Sequence, residues 1–234
     1  CLASGEPWLG AVRAAAEALV RDLPASPASP DEPDVATLRE ECRRKDEQIQ
    51  QLARNLDAAS STDPLTGLAN RRAFAGQLQR AFAEAARYNF ELTCIFGDLD
   101  DYHDVNARCG SRIGDRILAA VGKTVQEALR SHDLAARYGG DEFVLLLPHT
   151  SLDKAIHVAE RIGPELTARI RTHGPQVDRP ITLSMGISSL CKDRPTSADA
   201  LLTKADAALA VAKERGRGRI VTSQEIAALS EPIL

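Results

Sequence analysis

The sequence predicts a mixed α/β domain, with a central sheet of about five strands flanked by helices and preceded by a helical coiled-coil segment. Three observations lead to this prediction. Short apolar runs alternate with helical patterns, two of the runs flank a Gly-Gly pair, and residues 35–60 carry a heptad pattern. The chain has 234 residues, 44% of them hydrophobic, which suffices for one packed domain and an appendage.

The first 60 residues read as an upstream region and a coiled coil. Residues 7–22 have a helical apolar stripe, and four prolines follow in residues 23–34, which predicts an extended linker. Apolar positions then recur at intervals of three and four residues, as in a coiled-coil seam, and Lys45 interrupts them. The alternative is an amphipathic helix that packs on its own domain. The seam positions are Val35, Leu38, Cys42, Lys45, Ile49, Leu52, Leu56 and Ala59.

The remaining chain, residues 61–234, forms the predicted α/β domain. A helix is expected through about Tyr88, then a buried strand over residues 92–100 and a helix over residues 111–129. Two strands follow around Gly139 and Gly140, where the pair supports the positive φ angles of a two-residue turn. The last elements are a helix over residues 152–171, a strand in "PITLSMGISSL", a helix from Ser197 to a stop at Gly216, and a strand in "RIVTS".

The composition argues against several classes of protein. The net charge of −4 lacks the basic surplus that drives DNA or RNA binding. Five cysteines show no CxxC pair or metal-ligand spacing, which predicts reduced thiols and a cytoplasmic location. Neither a signal peptide nor a run of about 20 apolar residues is present. Because the chain opens on Cys1 rather than Met, we expect a membrane part only in a missing upstream region.

Three carboxylates are expected to converge at one end of the sheet. Asp98 ends an apolar strand, where open α/β sheets place their ligand sites, and Asp141 and Glu142 lie at the predicted hairpin tip. Clustered carboxylates repel unless they hold a cation, and Mg²⁺ held by one or two carboxylates keeps its other positions for water and phosphates. This indicates nucleotide chemistry. The alternative is that Asp98 caps a helix while the hairpin acids face solvent.

Five motifs in order resemble the GGDEF-domain diguanylate cyclases: "DPLTGLANRR", "GDLDDYHDVNARCGSRIGD", "RYGGDEF", "LSMGIS" and "ADAALAVAKERGRGR". They cover about residues 60–222. The resemblance implies a palm-like domain that binds GTP with two Mg²⁺ or Mn²⁺ ions and condenses two GTP into cyclic di-GMP and pyrophosphate. It also implies a homodimer, joined through the coiled coil, in which two active half-sites face each other.

The resemblance assigns site residues at matching positions. The metal ligands would be Asp98, Asp141, Glu142 and the Leu99 carbonyl, with Glu142 also assisting deprotonation of the ribose 3′-hydroxyl and Asp141 beside it in catalysis. Of the other substrate-binding residues, Asn106 and Asp115 would bind the guanine edge, and Lys213 and Arg217 would bind the triphosphate. Gly139 and Gly140 would allow the backbone to approach the nucleotide, and Tyr102 and His103 would line the site. Without the resemblance, these side chains would read as loop polar groups, helix caps or a solvated basic helix end.

The sequence departs from the family pattern at several positions, which affects the expected affinity for GTP and the expected turnover more than the type of reaction. His103 stands where the family usually has lysine, and a histidine lacks lysine's fixed positive charge. The other departures are Asp101, Ala107, Ser111, Ala210 and Gly218. A catalytically weak receptor for cyclic di-GMP or GTP is therefore a second hypothesis, and a GTP-binding regulator of an attached partner is a third.

The pair Arg130 and Asp133, five residues before "GGDEF", matches the family's product-binding inhibitory site. Arginine can stack on guanine while aspartate accepts a hydrogen bond from the base. The same spacing is also common in surface salt bridges, which contribute little energy. The position of the pair relative to the predicted hairpin favours product inhibition.

Overall fold

The computed structural model describes residues 38–48, 61–173 and 180–230. The chain divides into two compact units, Cys1–Ala53 and Arg54–Leu234. In the first unit, residues 38–48 form a helix with every residue exposed, and Arg43 makes ion pairs of 2.7 Å with both Glu40 and Glu47. The rest of the predicted coiled coil, residues 7–22 and the proline-rich linker lie outside the described residues. The described helices include none long and apolar enough to span a membrane.

The second unit is built on a six-stranded mixed sheet of order β1-β3-β4-β2-β5-β6. Strands β3, β4, β2 and β5 pair antiparallel, while the edge strands β1 and β6 pair in parallel with their neighbours. In chain order the elements are β1 (Ala69–Asn70), α1 (Arg71–Tyr88), β2 (Leu92–Leu99), α2 (Tyr102–Cys109), α3 (Ser111–Ala128), β3 (Leu134–Arg137), β4 (Glu142–Pro148), α4 (Leu152–His173), β5 (Leu183–Ser189), α5 (Leu190–Asp193), α6 (Ala198–Glu214), β6 (Ile220–Thr222) and α7 (Ser223–Ser230).

The predicted mixed α/β fold is confirmed, and Ser197 caps α6 by accepting from the Ala200 N–H, as expected. The sheet has one strand more than about five, because β1 has only two residues and leaves no periodic signal. Helix α2 was also missed. Its N-cap residue, Asp101, has a left-handed φ of 56° and makes no side-chain cap, and only Tyr102 and Val105 of the helix are buried.

Strand β2 lies at the centre of the core, with all eight of its residues buried. Because side chains alternate across a strand, Ile95 packs in one hydrophobic cluster while Cys94 and Phe96 pack in the other. The Ile95 cluster contains side chains of α2, α3 and α4, and the second contains side chains of α1 and α6. Helices therefore cover both faces of the sheet, and the ends of the central strands remain for polar residues.

The prediction of a two-residue turn at Gly139 and Gly140 is wrong. Strand β3 ends at Arg137 and β4 begins at Glu142, which leaves a four-residue loop, and neither glycine has a positive φ. The loop closes instead through Tyr138, whose N–H donates to the Glu142 carbonyl over 2.8 Å. Gly139 has a different role, because a Cβ there would lie 2.3 Å from Oε2 of Glu142. It leaves room for that carboxylate.

Candidate active site

Pairing between β2 and β4 brings three predicted site residues together. Asp98 at the end of β2 lies directly opposite Glu142, the first residue of β4. The next residue along β2, Leu99, donates its N–H to the Asp141 carbonyl over 3.2 Å. Asp98 is only 7% exposed, whereas Asp141 and Glu142 are half-buried. The strand register therefore places these acids at one end of the sheet.

Lys213 supplies a positive charge to this group of acids. Its Nζ lies 2.8 Å from Oδ1 of Asp98. Burial raises the pKa of the Asp98 carboxyl; Lys213 opposes that shift, and the negative charges of Asp141 and Glu142 add to it. The shift arises because desolvation and like charges both disfavour the ionised carboxylate. A cation beside Asp98 is thus a requirement of the site, and Lys213 meets it in this structure.

The donor set suits a hard divalent cation. Carboxylate and backbone carbonyl oxygens are the ligands that Mg²⁺ takes, and Asp98, Glu142, Asp141 and the Leu99 carbonyl offer them within one strand pair. Within the described ranges, no group of three or more His, Cys, Asp or Glu side chains is already gathered as a metal cage. Asp98, Asp141 and Glu142 are thus neighbours in the strand register and do not form a preformed cage of three carboxylates.

Polar side chains of α2 pack closely against Gly114 of α3. A Cβ on Gly114 would lie 2.3 Å from Oδ1 of Asn106 and 2.7 Å from the Tyr102 hydroxyl, so only glycine leaves both groups in place. Oδ1 of Asn106 is buried and has no hydrogen-bond partner among the described residues. Burial raises the pKa of Tyr102, and the nearby charge of Asp115 raises it further. Asn106, Asp115 and Tyr102 therefore lie together, with an acceptor left unsatisfied.

The other residues predicted to contact the triphosphate lie at the end of α6 and the start of α2. Arg217 follows the end of α6, and its Nε lies 3.6 Å from Oδ1 of Asp101, with both side chains more than half exposed. His103 is exposed in the first turn of α2. Lys213, in the last turn of α6, is already bound to Asp98. Of the two predicted triphosphate-binding cations, Lys213 thus contacts Asp98, while Arg217 lies beside the exposed Asp101.

Arg137 and Asp63 hold the hairpin loop, and the sequence prediction did not include either residue. Arg137 donates from Nη2 and Nε to the Gly140 carbonyl, over 2.8 and 3.0 Å. Its Nη1 forms a 3.2 Å ion pair with Asp63, which also accepts from the N–H and hydroxyl of Thr66. Asp63 lies in the motif "DPLTGLANRR" and Arg137 in "RYGGDEF", and membership of these motifs was the sequence signal that could have identified them.

The pair Arg130 and Asp133 forms a compact turn rather than a side-chain salt bridge. Oδ2 of Asp133 accepts from the Arg130 backbone N–H over 2.9 Å, and the Asp133 N–H donates to the Arg130 carbonyl. The Asp133 side chain is 6% exposed, and its Oδ1 lies 3.8 Å from Nε2 of His132. Arg130 itself is exposed. The Asp133 side chain thus stabilises the turn, while the Arg130 side chain is exposed to solvent.

Comparison with known proteins decides the family. Residues 60–219 match the model described as diguanylate cyclase, GGDEF domain. The chain belongs to the GGDEF diguanylate cyclase family. The diguanylate cyclase TpbB of Pseudomonas aeruginosa is 37% identical over 172 residues, which cover 73% of this chain and 38% of TpbB. The chain thus spans about two fifths of that relative's length.

Solved GGDEF structures share the fold. The GGDEF domain of DgcB from Caulobacter crescentus, in complex with c-di-GMP, aligns with a TM-score of 0.65 and 30% identity over 70% of this chain and 96% of that one. A structure of the coiled coil and GGDEF domain of DgcB, also with c-di-GMP, aligns with a TM-score of 0.65 and 28% identity over 80% of this chain and 97% of that one. The carboxylates described above thus lie in a GGDEF-family domain.

Proposed function

We propose that this protein is a diguanylate cyclase that condenses two GTP molecules into cyclic di-GMP with release of pyrophosphate. The observation that carries the proposal is the register of β2 and β4, which sets Asp98 opposite Glu142 with Lys213 against Asp98. Acids at a strand end with a lysine beside them suit metal-assisted phosphoryl chemistry. Family membership supports the same reaction.

Asp98, Asp141, Glu142 and the Leu99 carbonyl would hold two Mg²⁺ or Mn²⁺ ions per half-site. When bound, these ions would reduce the negative charge of the phosphates and make the α-phosphorus more electrophilic. Displaced from Asp98, the Lys213 ammonium would be free to bind the triphosphate with Arg217.

The protein's own side chains would orient the nucleotide and move one proton. Asn106 and Asp115 would bind the guanine edge, for which the unsatisfied Oδ1 of Asn106 is a ready acceptor. Glu142 would assist removal of the 3′-hydroxyl proton, with Asp141 beside it. The resulting 3′-oxygen attacks the α-phosphorus of the other GTP, and pyrophosphate leaves as the new P–O bond forms. A second such step closes the ring.

Two half-sites must meet for this reaction, so we propose a homodimer in which each protomer binds one GTP. The coiled-coil segment over residues 35–60 would hold the two domains near each other. Its described part, residues 38–48, is helical, and the seam residues Leu38, Cys42 and Lys45 in it are exposed. One DgcB structure contains both a coiled coil and a GGDEF domain, which supports this proposal.

We also propose that cyclic di-GMP inhibits the enzyme by binding at Arg130 and Asp133. The exposed Arg130 guanidinium can stack on guanine and donate paired hydrogen bonds. Oδ1 of Asp133 is buried and has no hydrogen-bond partner within the described chain, so the turn would have to open for this atom to accept from the base. The second hypothesis, a weak or inactive receptor, draws on the same site and on His103 in place of a lysine.

Incubation of the protein with GTP and Mg²⁺, followed by chromatography of the nucleotides, tests the proposed activity. We expect cyclic di-GMP and pyrophosphate from the wild type and almost none from Glu142→Gln or Asp141→Asn, because each variant removes a charge from the metal site without changing core packing. Glu84→Gln, on the exposed face of α1, is the matched control. Unchanged GTP would favour the receptor hypothesis, and near-wild-type turnover of either acid variant would contradict the assigned site.

A further inference from the structure

Asp100 is a buried carboxylate that none of the proposed catalytic roles uses. It follows the end of β2, is 5% exposed, and bonds to β5 and to the loop after α6. Oδ1 accepts from the Ser184 hydroxyl over 2.7 Å, while Oδ2 accepts from the Thr182 hydroxyl over 2.6 Å and from the Gly218 N–H over 2.9 Å. Each carboxylate oxygen thus has a donor that belongs to another part of the chain.

The loop that Asp100 holds carries a proposed triphosphate cation in an unfavourable backbone conformation. Arg217 has a φ of 60° and Gly218 a φ of 58°, so two successive residues are left-handed. A non-glycine residue in this region is strained and persists only where its surroundings hold it there. The Gly218 N–H bonds to Asp100 and, over 3.1 Å, to the Ser184 hydroxyl. These bonds fix the turn directly beside Arg217.

We infer that Asp100 is a positioning residue that sets Arg217 and the end of α6 for triphosphate binding. The inference rests on the proposed function. Asp100 joins the end of β2, two residues from Asp98, to the loop that begins just after Lys213. The buried Asp100 carboxylate therefore links the strand that carries Asp98 to the loop that carries Arg217. Charged hydrogen bonds of this kind are stronger and more directional than neutral ones.

Calorimetric titration with GTP tests the assignment. We expect Asp100→Ala to weaken GTP binding roughly tenfold or more, because loss of the buried carboxylate removes the shorter of the two hydrogen bonds that hold the Gly218 N–H. Asp100→Asn keeps one acceptor oxygen and should lie much closer to the wild type. Hydrogen exchange at the Gly218 amide should accelerate in Asp100→Ala. If that variant does not fold, Thr182→Val, which removes a single donor, should show a smaller loss of the same kind.

A double-mutant cycle separates positioning from general destabilisation. If Asp100 acts through the loop, Asp100→Ala should cost far less GTP affinity in an Arg217→Ala background than in the wild type. Asp193→Ala is the matched control, since Asp193 accepts from the Ser189 N–H over 2.7 Å and from the Ser223 hydroxyl at the opposite end of β5. It should lower stability and leave GTP affinity unchanged.

Three results would overturn the assignment: unchanged GTP affinity in Asp100→Ala, an equal loss in both backgrounds, or the same loss in Asp193→Ala. Failure of the proposed function looks different. A wild-type protein that binds GTP but forms no cyclic product contradicts the cyclase proposal and leaves the binding test of Asp100 intact.

Discussion

Asp133 uses one carboxylate oxygen to hold the backbone of Arg130, which frees the Arg130 side chain from any role in the turn. We predict that Arg130→Ala relieves inhibition by added cyclic di-GMP, because it removes the stacking plane and both donors while the Asp133 bond to the backbone N–H survives. Turnover without added product should not fall. Initial rates over a cyclic di-GMP series, with calorimetry of product binding, provide the measurement. Arg80→Ala on α1 is the control, and equal product binding by the Arg130 variant and the wild type would dismiss the site.

The Asp63 carboxylate gives the fold a defined pH dependence. Burial raises its pKa, but hydrogen bonds from Thr66 and the charge of Arg137 outweigh burial and hold the pKa below its ordinary value of 3.8. The unfolded chain therefore takes up this proton at a higher pH than the folded chain, so acid favours unfolding. The stabilisation is complete well above pH 3.8 and disappears as the pH falls through the lower, folded value.

We predict that Asp63→Asn costs about 1–2 kcal/mol of unfolding free energy at pH 7, and that this difference from wild type shrinks as the pH falls below about 4. Urea unfolding at a series of pH values measures it. Asp104→Asn, at a position whose side chain is 61% exposed, is the control and should cost little at any pH. A pH-independent difference for Asp63→Asn would show that its charge is not what stabilises the loop.

At the scale of elements, the approach of α6 to β5 fixes where Lys213 lies. A Cβ on Gly186 would lie 2.1 Å from the Ala205 carbonyl oxygen and 2.2 Å from the Leu209 nitrogen, both backbone atoms of α6. We predict that Gly186→Ala moves α6, costs about 1–3 kcal/mol of stability and weakens GTP binding by displacing Lys213 from its distance to Asp98.

Gly76 offers the matched comparison. It lies within α1, is exposed, and a Cβ there meets no atom within 4 Å. Gly76→Ala should therefore stabilise the protein by about 0.5–1 kcal/mol, since alanine favours a helix more than glycine does. Thermal unfolding and GTP titration of both variants are the measurements. A Gly186→Ala protein as stable as wild type would contradict the close helix–strand contact.

At the scale of the whole molecule, the proposed catalysis by paired half-sites would make the rate depend on association of two protomers. We predict that deleting residues 1–59 leaves a folded, mostly monomeric domain that binds GTP, turns over slowly, and gains specific activity steeply with protein concentration, because the coiled coil no longer raises the effective concentration of half-sites. Lys45→Leu in the full chain should instead tighten dimerisation by removing a charge from the seam.

Sedimentation and a rate-versus-concentration series measure both effects. Lys45→Arg keeps the charge in the seam and is the control for the leucine variant. A truncated monomer with undiminished specific activity at low concentration would contradict the role of the coiled coil.

The sequence by itself determined the alternation of strands and helices, the Ser197 cap, the family and the candidate acids. These features are encoded locally, in apolar periodicity, capping side chains and short motifs. The tertiary structure decided what depends on register and on contacts distant in sequence. Examples are Asp98 facing Glu142, the four-residue hairpin loop, and Asp100 bonded to Gly218, which lies 118 residues away. Local patterns carry no information about such pairings, because the crossovers and packing of the whole domain set them.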